Sequence, residues 1–173
     1  MSSIQKVQFP PVPAVAGPGT PGHGDFDFFT GDWDGRQRRL LKALAGCTEW
    51  EELTSVTRCW GVFGGAANAD EVHFIETGVS GLTVRLLDPA TGLWSIYWIS
   101  SRDGLLGLPP VVGGFSGGVG QFYCEQDWEG TPITCRYTWM HDTPGTARWE
   151  QAFSTDGRQT WETNWTADFT RRP

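Results

Sequence analysis

Side chains able to hold or move a proton are most conspicuous in this chain where they interrupt rows of aromatic residues. Between Ile133 and Phe169, apolar and polar residues alternate with a period of two, and Tyr137, His141, Gln151 and Thr163 fall on the same faces as Trp139, Trp149, Trp161 and Trp165. An imidazole titrates near neutrality, a phenol donates and accepts, and an amide does both. Leaving such a group unpaired inside an apolar space costs about 1–3 kcal/mol. These groups therefore either bond one another or orient the carbonyl or hydroxyl of a molecule held among the indoles. If the chain is an enzyme, His141 and Tyr137 are its candidate catalytic proton carriers.

Other chemistry is poorly supplied. No Gly-x-Ser-x-Gly elbow occurs, and Gly64-Gly65-Ala66-Ala67-Asn68-Ala69-Asp70, read as a loop, lacks the Lys-Ser/Thr pair of a phosphate cradle. His23, His73 and His141 are far apart in sequence, so haem would depend on His141 alone. Cys47, Cys59, Cys124 and Cys135 lack close metal-ligand spacing. The expectation is no metal site and no cofactor. Arg39 and Gln37 share the face of Trp33 and can reach inward, whereas Arg58 and Glu52 share a face with Trp50 and Trp60. Arg148, Glu150 and Glu162 map outward.

Antiparallel strands must position these groups. Pro144-Gly145 is a turn signal that pairs Trp139 with Trp149 and Tyr137 with Gln151. A three-residue loop at Asp156-Gly157-Arg158 pairs Trp149 with Trp165 and Phe153 with Trp161, giving a row of indoles across neighbouring strands. Earlier in the chain, matching apolar faces sets Leu86 beside Trp94, Val84 beside Ile96 and Leu82 beside Trp98, with Arg85 and Tyr97 outward. A two-residue Glu129-Gly130 turn places Cys124 opposite Cys135, a pair expected to remain two thiols. About ten strands follow, and the fold class is all-β: a closed antiparallel up-and-down barrel. The expected ligand-binding set is Trp94, Trp98, Tyr137, Trp139, His141, Trp149, Gln151, Trp161, Thr163 and Trp165.

Composition narrows the partners. With a formal charge of −7 and no basic block beyond Arg36, Arg38 and Arg39, the chain does not suit a phosphate backbone, so nucleic acid is not expected. No apolar run reaches the ~18 residues that span a bilayer, and no secretory leader is evident, so no membrane partner and a cytoplasmic location are expected. Residues 1–24 hold five prolines and several glycines and read as a flexible arm, leaving 25–173 as one barrel domain. The chain's ten Trp and ten Phe are ample for a core.

Gly31-Asp32-Trp33 at the head of the first strand resembles the Gly-x-Trp opening of lipocalins and their calycin relatives. Taken with Asp25 to Thr30, Asp88 to Trp98 and Trp149 to Ser154, it is similar to an uncharacterised lipocalin-like family of small bacterial proteins. That resemblance spans residues 25–172 and implies a barrel in which Arg171 or Arg172 packs over Trp33. The Trp-lined barrel leaves two activities open, and lipocalin-like barrels host both kinds. One is binding of a small hydrophobic or aromatic molecule; the other is a cofactor-independent isomerase, cyclase or decarboxylase acting in the same cavity.

Overall fold

The computed structural model describes residues 17–141 and 143–173. A 3₁₀ turn (Asp27–Phe29) precedes ten strands: β1 (Gly31–Leu40), β2 (Trp50–Val62), β3 (Ala67–Phe74), β4 (Ser80–Asp88), β5 (Leu93–Ser100), β6 (Val111–Ser116), β7 (Val119–Trp128), β8 (Thr131–Met140), β9 (Thr146–Ser154) and β10 (Glu162–Arg171). Each strand pairs antiparallel with its sequence neighbours, and β1 closes on β10 from Trp33↔Arg171 to Arg39↔Trp165. The result is the expected closed up-and-down barrel, which leaves no free sheet edge. Among the described residues no helix is long and apolar enough to cross a membrane.

One end is plugged. Phe26 and Phe29 are almost fully buried and sit edge-on to Trp94 and Trp139 respectively, with ring centroids 5.1 and 4.8 Å apart. Trp33 donates its Nε1 hydrogen to the Phe29 carbonyl at 2.7 Å, fixing the plug to the first strand. Arg171 lies over that indole, 4.3 Å from the ring centre, and also donates to the carbonyls of Phe28 and Thr30. The resemblance implied Arg171 or Arg172 in this place; Arg172 instead pairs with Asp34. Residues 17–24, at the end of the expected arm, form turns on this closed end, where Gly22 O accepts the Trp94 indole N–H at 2.9 Å. Residues 1–16 lie outside the described residues.

Several registers follow the sequence reading. Tyr137 pairs with Gln151, Trp139 with Trp149, and Cys124 with Cys135, the last across Glu129-Gly130, both of positive φ. Two registers differ. Asp88 accepts bonds from Ala90 N and Thr91 Oγ1, stretching the turn to Pro89–Gly92, so Leu87 rather than Leu86 meets Trp94 and Arg85 points into the barrel beside Ile96. Leu82, Val84 and Leu86 then face outward. At the other hairpin the loop is longer than three residues, because the Asp156 carboxylate gathers Ser154 Oγ, Gln159 N and Thr160. A bulge between Thr163 and Trp165 then turns both Asn164 and Trp165 inward, so Trp149 pairs with Ala167 and Phe153 with Glu162. Upstream of the bulge the faces exchange: Trp161 and Thr163 lie outside and Glu162 inside, where it accepts the Leu44 N–H. The segment read as a loop at 64–70 also ends early, since β3 begins at Ala67.

Two predictions follow from this framework. A Cβ at Gly113 would overlap the Gln121 backbone carbonyl, so Gly113→Ala should lower the urea unfolding free energy by about 1–3 kcal/mol, the usual cost of overpacking. Hydrogen bonds from Thr160, then Ser154 and Gln159, hold the Asp156 carboxyl at about 2, below its ordinary 3.8. Its stabilising effect is therefore complete above the ordinary value and lost as pH falls toward 2. Asp156→Asn should be less stable than wild type at pH 7, and this difference should shrink as urea midpoints are measured from pH 4 down to pH 2.

Candidate functional site

Above the plug the barrel is not filled. A cavity of about 950 Å³ runs from Phe29, Trp139 and Phe169 at its floor, past Trp149, Tyr137, Phe74 and Val72, to a mouth framed by Leu41, Ala43, Ala45, Arg102, Leu108-Pro109 and Trp128-Glu129. The size lies at the upper end of ordinary small-molecule pockets. Alternation along each strand supplies the wall, because every second side chain of a closed sheet must point inward. Trp98 reaches across Gly81, whose missing Cβ leaves the space that the indole occupies.

Of the residues singled out from sequence, Trp98, Tyr137, Trp139, Trp149, Gln151 and Trp165 line this cavity. Trp149 stands edge-on to Trp165 at 5.7 Å and to Tyr137 at 5.0 Å. The other four lie elsewhere. His141 is half-buried at the closed end, stacked on Phe28 at 4.0 Å, because β8 runs from the mouth to the plug and its last inward position lies beyond the floor. Asp25, whose carboxyl is pushed up by burial against a smaller opposing pull from His141, is its neighbour there. Trp94 is spent on the plug. The β10 bulge puts Thr163 outside, as well as Trp161, whose indole covers the Arg136 guanidinium at 4.2 Å and neighbours Tyr123.

Polar groups form two layers. In the mouth half, Trp165 Nε1 donates to Gln37 Oε1 at 2.8 Å, Gln37 Nε2 donates to Ser55 Oγ at 3.0 Å, and Gln151 Nε2 donates to Asn164 Oδ1 at 2.8 Å. Arg39 pairs with Glu51 at 2.6 Å and lies 5.3 Å from the Trp165 ring. Arg58 and Glu52 are outside, paired with Asp32 and Arg38. Deeper down, Arg85 and Asp70 form an ion pair at 2.5 Å, with 2% and 5% of their side chains exposed. Arg85 Nη1 also donates to Asn68 Oδ1 at 3.0 Å, and its guanidinium carbon lies 5.0, 5.5 and 5.1 Å from the rings of Phe26, Phe29 and Trp139.

This charged floor was hidden in the sequence. Arg85 depended on a turn one residue longer than the apolar match suggested, and Asp70 sat in a stretch whose glycines and alanines read as a loop. One signal was present: Asn68, Asp70, Val72 and Phe74 alternate, as do Thr83, Arg85 and Leu87.

Burial also governs the titrating groups on or near the wall. It pushes the Tyr137 phenol well above its usual range, with further upward push from the nearby cysteines. Burial likewise raises the Cys59 thiol to about 12, the main cause outweighing the Arg85 charge beside it. Cys124 and Cys135 are both free and share a thiol contact that favours the Cys124 thiolate and disfavours that of Cys135. Among the described residues, no group of three or more His, Cys, Asp or Glu is placed to hold a metal.

Comparison of the chain with protein-family models and with curated proteins found no match.

Cys59 and Cys47 should differ sharply toward iodoacetamide at pH 8, since the thiolate is the reactive form. Peptide mapping should find Cys47, which is half-exposed, modified in the native protein, while Cys59 is modified only after denaturation.

Proposed function

We propose that this chain binds a small hydrophobic or aromatic molecule inside its barrel, in the manner of lipocalin-like proteins. The observation that carries this reading is the aromatic wall of an unfilled, open-mouthed space: Trp98, Trp149, Trp165, Phe74 and Tyr137 surround about 950 Å³. A protein interior is ordinarily packed to the density of an organic crystal, whereas the rings around this space lack protein contacts on their inner faces. A ligand restores them. Burying a single large apolar group is worth about 1.5–3 kcal/mol, so several such walls supply ample affinity for a molecule of a few fused rings.

The binding reading is favoured over catalysis by the position of the proton carriers. His141 stacks against Phe28 on the far side of the floor. Tyr137 does face the cavity, but its phenol is made a weaker acid by burial. The wall therefore offers shape and apolar surface more readily than acid–base chemistry.

The test uses 1-methylpyrene, which is flat and uncharged and accepts excitation energy from tryptophan. Saturable transfer is expected. Trp165→Ala and Trp98→Ala should each weaken binding about ten-fold, the equivalent of about 1.4 kcal/mol, whereas Trp161→Ala, altered on the outer surface, should leave the affinity within two-fold. Equal effects of all three substitutions, or no saturable transfer, would contradict the reading.

A further inference from the structure

Resting on that reading, we infer that the ligand carries an uncharged hydroxyl group and enters with it foremost, to be held between Arg85, Trp139 and Asp70 at the cavity floor. Two buried donors there lack partners in the protein, beside a buried carboxylate with accepting capacity to spare. Arg85 Nε and Trp139 Nε1 are donors without acceptors. Asp70 Oδ2 meets Arg85 Nη1 at 2.5 Å, one contact for an oxygen with two lone pairs, so it can accept from a second donor. All three residues line the cavity and are at least nine-tenths buried.

Unpaired atoms at such depth are each costly, and two donors left beside one acceptor is a specific chemical demand. The Arg85 guanidinium carbon lies 5.1 Å from the centre of the Trp139 ring, so the two side chains that carry the free donors are neighbours at the floor. A hydroxyl oxygen accepts from Arg85 or Trp139 while its hydrogen is donated to Asp70. A hydrocarbon end satisfies none of the three.

Charge decides between polar head groups. Arg85 is already neutralised by Asp70 within a ring of Phe26, Phe29 and Trp139. A carboxylate brought to this floor sets a second negative charge against Asp70 in a medium of low dielectric and has no hydrogen to give it. An ammonium group meets Arg85 in the same way. Thr57 Oγ1 and Asn164 Nδ2, also buried on the cavity lining without partners, can take further hydroxyl or carbonyl groups of the same molecule. The ligand class is thus an apolar ring system bearing neutral oxygen substituents.

Three pyrenes of matched shape separate the possibilities at pH 7: 1-hydroxypyrene, 1-pyrenecarboxylate and 1-methylpyrene, each titrated into the full chain and followed by fluorescence polarisation. The expected order is hydroxyl tightest, by about ten-fold over methyl, with the carboxylate weakest; ten-fold corresponds to about 1.4 kcal/mol. Trp139→Phe, which keeps a ring and removes the indole N–H, should cut the preference for 1-hydroxypyrene over 1-methylpyrene about three-fold or more, a ratio in which any change of floor shape cancels. Equal binding of methyl and hydroxyl pyrenes overturns the inference while the cavity reading stands. A carboxylate that binds tightest also overturns it, and failure of all three to bind overturns both.

Discussion

A salt bridge buried beside a ring of aromatic side chains is the constraint around which this barrel is arranged. Arg85 and Asp70 expose only 2% and 5% of their side chains, and removing such a pair from water costs several kcal/mol per ion before mutual attraction is counted. The structure compensates in kind: Asn68 accepts from the guanidinium, and the faces of Phe26, Phe29 and Trp139 surround it within cation–π range. The plug is therefore more than a stopper of apolar rings. It encloses the charge, and the charge in turn sets the polarity of the floor above which the cavity begins.

Aromatic residues divide accordingly between two tasks. Phe26, Phe28, Phe29, Trp94, Phe115, Phe122 and Phe169 close one end by mutual packing, with Trp33 and Arg171 tying that packing to the seam where β1 meets β10. Trp98, Trp149 and Trp165 stand apart in the mouth half, held by Gly81, by each other and by the Gln37 side chain. The first group behaves as a core; the second is a lining with free surface. Function on this account belongs to the second group, and rigidity to the first.

The alternating run from Ile133 to Phe153 carried its structure openly, because each turn residue agreed with the facing pattern of two strands. Beyond it, legibility failed wherever a loop changed the parity of its strands. Asp156 collects donors into a wider turn and Asn164 bulges, and those two local events moved Trp161 and Thr163 from inside to outside. The same logic hid Arg85: Leu82, Val84 and Leu86 are the apolar residues of β4, so the polar face was assigned outward, yet the interior here is polar because it holds the ion pair. His141 was placed on the correct face of β8, but facing alone does not give height, and only the position of the plug shows that it lies below the floor. A binary pattern specifies sides; the depth of a residue along a barrel depends on where the ends are closed.

The central claim is that the barrel interior holds an aromatic-walled cavity in the folded protein and that this cavity is reachable from solvent. Crystals of the protein pressurised with xenon test it without any assumption about the natural ligand, since xenon enters dry apolar cavities and is directly visible by its scattering. The account predicts one or more xenon atoms among Trp98, Trp149, Trp165 and Phe74, with the wall unmoved. Side chains collapsed into that space, with xenon absent from it, would contradict the account.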